Sequence, residues 1–338
     1  MNFELKDVIF FFSVYGVGLL IILYVAFPQK FKFLSRFFER RKWKKMEKKA
    51  AKLAEKNAQV IYSDLNYYIV GQEGAKRIIS RTVGEFLAQP FKTKPLVMLF
   101  VGETGTGKTE SVKVLGRTLS TAGYQFFRIN CERIQDKYEV SSYFGAPRGY
   151  IGSDSVPPLI QKVAESGGNL LLLLDEFEKA HPDFRTAFLS VMDEGVIQFA
   201  TTGELLPMHS SVIVLTSNAL REEIRVLSKL SPVEALLEAK RLLEGKFPAE
   251  LLGRVQTVVP FFPLTREEFL VIMERALYDA GFKLSEDQLE SLYLYFKEKG
   301  VLQRGAREVI NTIKTYKLFP EELCRALSSK EPAKISIK

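Results

Sequence analysis

Cysteine and histidine are nearly absent from this chain. Two cysteines, Cys131 and Cys324, lie far apart in 338 residues. They argue against a disulfide framework and a cysteine-spaced metal site, and they suit a reducing compartment. Two histidines, His181 and His209, argue against histidine metal ligation or a histidine triad. Excess charge is missing from most of the chain as well. The formal net charge is +8, but residues 28–56 hold twelve Lys/Arg against three Asp/Glu, the first seven residues are net negative by one, and residues 57–338 are neutral. The basicity is one local block rather than the footprint of a nucleic-acid-binding domain. At 46% hydrophobic residues the chain can bury a real core, in one or two globular domains plus extras.

One long uncharged run exists. Val8–Phe27 (VIFFFSVYGVGLLIILYVAF) is twenty residues, about 30 Å as a helix and about the thickness of a bilayer core. Gly16 and Gly18 are tolerated in such a helix. A cleaved signal peptide competes with this reading. Glu4 and Asp7 precede the run, however, it is too long, and no small-residue cleavage site follows. The expectation is a retained transmembrane anchor. Lys30, Lys32, Arg36, Arg40, Arg41, Lys42, Lys44 and Lys45 follow it, which puts the C-terminal bulk in the cytoplasm and the N-terminus outside, most simply at a bacterial inner membrane. The basic block reads as a helix beside anionic headgroups. A nucleic-acid contact is the competing reading, without Gly-rich or aromatic stacking motifs to support it.

The chemistry is centred on Leu96–Thr109. An apolar run, Leu96–Val101, leads into Gly102-Glu103-Thr104-Gly105-Thr106-Gly107-Lys108-Thr109, with a helix-compatible stretch (Glu110–Leu119) behind. Strand, G-x-x-x-x-G-K-[ST] and helix is the context a phosphate loop requires. The glycines let backbone N–H groups turn inward around phosphates, and the helix adds its positive end. Lys108 can reach the β- and γ-phosphates, and the Thr109 hydroxyl can hold Mg²⁺. Further along, Asn169–Glu176 (NLLLLLDE) reads as a buried parallel strand ending in Asp175-Glu176. Beside a phosphate loop the first acid serves the Mg²⁺ shell, and the second polarises the attacking water. Val212–Leu215 ends in Thr216-Ser217-Asn218, where Asn218 can bond the γ-phosphate or the water. Phe126–Asn130 is a further strand. Tyr150, between Gly149 and Gly152, suits a mobile loop that offers an aromatic outward. The alternation predicts an α/β fold, a parallel sheet with helices on both faces, and a ligand beyond the strand carboxyl ends.

These residues resemble a known family. GYIG, LLDEFEKAHPD, TSN, FPAELLGRV and GAREV, in that order from about Leu65 to Ile337, are similar to the C-terminal ATPase module of Clp-type AAA+ unfoldases and disaggregases. The resemblance implies ATP with Mg²⁺. It makes Lys108 and Thr109 the Walker A residues and Asp175 and Glu176 the Walker B pair, with Glu176 the catalytic carboxylate. Asn218 becomes sensor 1, and Arg307 sensor 2. Arg254 becomes an arginine finger for a neighbouring subunit, and Tyr150 with Ile151 a pore loop that grips polypeptide. Ile69, Val70 and Gly71 match the adenine-side segment. Gly253 departs from the family's Asn before the finger, and FATTGELLPMHSS leaves a secondary pore loop open. Torsins are membrane-associated relatives without an aromatic pore loop or strong finger. Tyr150, Arg254 and the positive flank set this chain apart from them.

The expected organisation is a short outer segment (1–7), an anchor (8–27), a basic linker (28–59), a large AAA+ domain (60–264) and a small helical lid (265–338). A single module is expected, with the anchor in place of an amino-terminal substrate domain. The expected function is a membrane-tethered ATP hydrolase that forms a ring, a homo-hexamer, and unfolds or remodels proteins. The alternative is an ATP-dependent assembly module of a secretion, pilus or conjugation complex that threads nothing. No nucleic acid is expected, and no peptidase partner is indicated.

Overall fold

The computed structural model describes residues 28–146, 155–327 and 336–337. The proposed anchor Val8–Phe27 and the loop residues Tyr150 and Ile151 lie outside these. Among the described residues no helix is long and apolar enough to cross a membrane. The chain divides into two units, residues 1–53 and 54–338. In the first, the described residues belong to the helix α1 (Pro28–Tyr68), which continues into the second.

After α1 come α2 (Glu73–Ala88), β1 (Leu96–Gly102), α3 (Lys108–Ser120), β2 (Gln125–Asn130), α4 (Lys137–Phe144), α5 (Pro158–Ser166), β3 (Leu170–Asp175), α6 (Pro182–Glu194), a hairpin of β4 (Val196–Gln198) and β5 (Leu205–Pro207), and β6 (Val212–Ser217). Then follow α7 (Ile224–Leu227), α8 (Pro232–Glu244), α9 (Ala249–Leu252) and β7 (Thr257–Phe261). Five parallel strands form one sheet in the order β2-β3-β6-β1-β7. Both faces are buried. Val97, Leu99, Val101, Leu172, Leu174, Ile213 and Leu215 enter one core with Phe184, Phe188 and Val191 of α6. Met98, Phe100, Leu171, Leu173, Val212 and Val214 enter the other with Ile79 and Val83 of α2 and Val112 and Leu115 of α3. Runs of leucine and β-branched residues suit this arrangement because successive side chains point to opposite, equally apolar layers.

A third core belongs to the lid: α10 (Arg266–Ala280), β8 (Phe282–Lys283), α11 (Glu286–Glu298), α12 (Ala306–Leu318), α13 (Pro320–Leu327) and β9 (Ser336–Ile337). Capping boxes open α10 at Thr265/Glu268 and α11 at Ser285/Gln288. β9 pairs antiparallel with β8.

Lid and sheet domain meet at two glycines. Gly305 Cα stands 2.8 Å from where a Cβ on Gly105 would lie, and the reverse distance is the same. Both glycines have positive φ, 79° at Gly105 and 81° at Gly305. The Ala306 N–H donates to the Gly105 carbonyl at 3.1 Å. The phosphate loop and the start of α12 are thus in backbone contact, which side chains on both would prevent.

Candidate active site

Sheet order explains the site. β6 lies between β1 and β3, so Asn218, just past β6, stands between the residues that follow β1 and those that end β3. Lys108 Nζ donates to Asn218 Oδ1 at 3.0 Å, and Asn218 Nδ2 donates to Glu176 Oε1 at 3.0 Å. The Asn218 N–H donates to Glu178 Oε1 at 3.0 Å, which fixes the turn. The ring of contacts closes through Asp175. Its Oδ1 accepts from Thr216 Oγ1 at 2.5 Å and from Thr109 Oγ1 at 3.2 Å, and its Oδ2 accepts from Arg128 Nε at 3.1 Å and from an Arg128 terminal nitrogen at 2.6 Å. Lys108, Thr109, Asp175, Glu176 and Asn218, expected from sequence to act together, are brought together.

The backbone is shaped to this end. Gly102, Gly105 and Gly107 have φ of 148°, 79° and 102°, and Gly107 caps the N-terminus of α3. A Cβ at Gly102 would meet the Phe261 carbonyl. Thr106 Oγ1 donates to the Glu103 carbonyl at 2.8 Å, which tightens the loop. Glu103 itself pairs with Arg225 at 2.8 Å. Glu176 is left-handed, with φ 58° and ψ 51°, a strain of about 1–2 kcal/mol for a residue with a side chain. Its N–H donates to Thr216 Oγ1 at 2.9 Å, which holds it there.

Lys108 is 7% exposed. Its ammonium also donates to the Gly102 and Glu103 carbonyls at 2.7 and 2.8 Å. Burial is the main cause that lowers its pKa to about 8, Asp175, Glu178 and Glu176 oppose the shift, and Arg307 adds to it. Arg307, in the first turn of α12, is therefore within electrostatic reach of the phosphate-loop lysine. Lys179 Nζ lies 2.6 Å from Glu176 Oε2 and 2.9 Å from Glu132 Oε1. Those two acids, Glu176 first, raise the pKa of Lys179. Burial, then the nearby carboxylates, raises the thiol of Cys131.

On the base side Ile69 is buried, and its Cγ2 lies 3.8 Å from where a Gly107 Cβ would stand. Gly71 has φ 67° and lies under the Glu268 side chain of the lid. The Gln72 side-chain amide pairs with the Phe262 backbone at both ends, 2.7 and 3.0 Å, and ties the Ile69–Gly71 segment to the end of β7. Val70 lies between those two anchors.

Arg254 is not in this cluster. It precedes β7, and Gln256, two residues on, bonds Val97 and Pro95 at the start of β1. The phosphate loop leaves the other end of β1, seven residues or about 20 Å away. Arg254 pairs with Asp193 at 2.5 Å and donates to the Glu250 carbonyl. It does not face its own phosphate loop.

Arg128, Thr216 and Lys179 were not singled out as functional residues from sequence. An arginine inside the strand FFRIN was the available signal for the first.

Among the described residues no three His, Cys, Asp or Glu side chains group as a metal site. Mg²⁺ needs none, since it takes one or two protein oxygens and completes its shell with phosphates and water. Thr109 Oγ1 and the Asp175 carboxylate, in contact at 3.2 Å, are such an all-oxygen pair.

Comparison with known proteins agrees with this geometry. Residues 94–258 match the family model described as AAA domain (Cdc48 subfamily), and residues 46–130 match a Torsin model. The chain is 29% identical over 284 residues to the chaperone protein ClpB of Malacoplasma penetrans, a match covering 80% of this chain and 39% of that protein. It is 31% identical over 287 residues to the ATP-dependent Clp protease ATP-binding subunit ClpE of Streptococcus pneumoniae, covering 78% and 36%. Among solved structures, S. cerevisiae Hsp104 in its ADP complex superposes with a TM-score of 0.65 at 26% identity, covering 82% of this chain and 49% of that one. Hsp104 in a closed state with ATPγS and FITC casein gives 0.63 at 25%, covering 80% and 48%. The chain spans a third to two-fifths of these curated relatives and about half of the solved chains.

Proposed function

The chain carries a Clp-type AAA+ ATPase module, a kind of domain that hydrolyses ATP with Mg²⁺, and on that premise we propose that it works as a ring that remodels protein substrates at a membrane. The observation that carries the reading is the closed contact set of Lys108, Thr109, Asp175, Glu176 and Asn218 at the carboxyl ends of β1, β3 and β6. The loop N–H groups and Lys108 hold the triphosphate. Asn218, fixed by Glu178, orients the γ-phosphate or the water beside Glu176. Glu176 takes the proton of the attacking water. Thr109 and Asp175 would hold Mg²⁺, which supplies charge neutralisation at the β- and γ-phosphates. Ile69, Val70 and Gly71 wall the base, and Arg307 brings the lid onto the nucleotide.

The proposal of assembly rests on where Arg254 lies. Charge that develops in phosphoryl transfer is met by an arginine worth several orders of magnitude in rate. Arg254 lies at the wrong end of its own β1 to supply it, and suits a neighbouring copy. A homo-hexamer is the proposed state. Hsp104, with casein in one of its solved structures, is the model for a protein substrate gripped by Tyr150 and Ile151. Val8–Phe27 and the basic block that follows are proposed to tether the ring to lipid with the ATPase on the cytoplasmic side.

The test is the ATPase rate of the purified full chain against its concentration, with Arg254→Ala in parallel. A shared site gives activity per subunit that rises with concentration and is abolished in the variant. A flat rate per subunit and a silent variant would refute the ring.

A further inference from the structure

In this structure the positive charge that satisfies Asp175 comes from the edge strand β2. Arg128 places two N–H donors on Asp175 Oδ2, at 3.1 and 2.6 Å. The other carboxylate oxygen is filled by Thr216 and Thr109. Asp175 has a side chain only 10% exposed, whereas that of Arg128 is 41% exposed. A buried carboxylate without a counter-charge is costly, so Asp175 needs one, which Arg128 supplies here and a divalent cation could supply in its place.

A cation shared by Thr109 and Asp175 would lie against the same carboxylate. A guanidinium and a divalent cation on one carboxylate repel each other, because Coulomb energies at contact in a part-buried site are large. Arg128 has somewhere to go. An open cleft of about 430 Å³ beside it is lined, among the described residues, by Arg128, Asn130, Arg133 and Tyr143.

We propose that Arg128 is the resting counter-ion of Asp175 and competes with Mg²⁺ for it, so that metal affinity is set by an exchange rather than by an empty carboxylate. The proposal rests on the reading of Thr109 and Asp175 as the metal-holding pair. It predicts that the arginine weakens metal binding, although it sits on a metal-binding residue.

The experiment is direct metal binding, without turnover. Mn²⁺ is titrated into the full chain saturated with ADP, and free Mn²⁺ is read by electron paramagnetic resonance for wild type, Arg128→Gln and Arg128→Lys. With Arg128→Gln the Kd for Mn²⁺ is expected to tighten on the order of tenfold, the equivalent of one charge-assisted contact removed from the competing state. Arg128→Lys, which keeps the charge but loses the two-donor fork, falls between. Metal-free ADP binding in EDTA shows whether a variant's site is folded. With that intact, an unchanged or weaker Mn²⁺ affinity in Arg128→Gln overturns the exchange. If Arg128→Gln does not bind metal-free ADP, Arg128→Lys decides. Tighter Mn²⁺ binding than wild type supports the proposal, and equal or weaker binding overturns it. The absence of ADP-dependent Mn²⁺ binding in wild type would instead overturn the metal site itself.

Discussion

Nucleotide binding should take up protons, and the amount follows from Lys108. Its ammonium is buried, and burial lowers its pKa to about 8 from the 10.5 usual for lysine. With the site free of nucleotide at pH 8, about half of these lysines are neutral. Phosphates against Nζ favour the charged form and restore it. Uptake should be about 0.1 proton per site at pH 7, about 0.5 at pH 8 and about 0.9 at pH 9. Cys131 and Lys179 are shifted upward, so neither titrates in this window. The assay is calorimetry of MgADP binding in two buffers with different ionisation enthalpies. The difference between the measured heats, divided by the difference in ionisation enthalpy, gives the proton count at each pH. Identical heats in both buffers at pH 8.5 would refute the buried-lysine argument. The same shift has a stability signature. The folded-state pKa lies below the unfolded one, so between pH 8 and 10.5 the unfolded chain binds more protons and nucleotide-free stability rises with pH. The contribution of Lys108 is about 3 kcal/mol, absent at pH 7 and recovered by about pH 10.5.

Glu176→Gln should still bind ATP while hydrolysis drops by a factor on the order of 10²–10⁴, the usual worth of a general base; normal turnover would remove Glu176 from that role. Gly305→Ala would put a Cβ 2.8 Å from Gly105 Cα and from the Thr104 carbonyl. Its backbone, φ 81° and ψ −178°, is essentially glycine-only, and strain of about 1–3 kcal/mol plus the lost Ala306–Gly105 hydrogen bond should weaken ADP binding by at least about tenfold. Unchanged affinity by fluorescent-nucleotide titration would show that the lid contact is dispensable. Tyr150→Ala should keep ATPase activity and lose unfolding of a tagged reporter; intact unfolding would dismiss the pore loop.

The strands that carry the site were legible because burial on both faces leaves a run such as LLLLLD or LVMLFVG, and these are β3 and β1 to within a residue or two. β7 was not, since TVVPF contains Pro260. A strand that pairs only with β1 tolerates a proline. The β4–β5 hairpin was hidden because β4 just precedes FATTGELLPMHSS and β5 lies within it, and three-residue strands are too short to show alternation. Which residues carry chemistry could be read from the ends of strands, but not which ones touch. Thr216 on Asp175, Asn218 between Lys108 and Glu176, and Arg128 on Asp175 all depend on β6 lying between β1 and β3 and on β2 taking the edge beside β3. The contact between Gly105 and Gly305 joins residues two hundred apart. The same sheet order turns a motif argument about Arg254 into a geometric one. A residue that enters a strand parallel to β1 begins at the end of the sheet opposite the phosphate loop, however the lid moves. Arg254 is thereby held away from its own phosphate loop, which is the position that the proposed finger for a neighbouring copy requires.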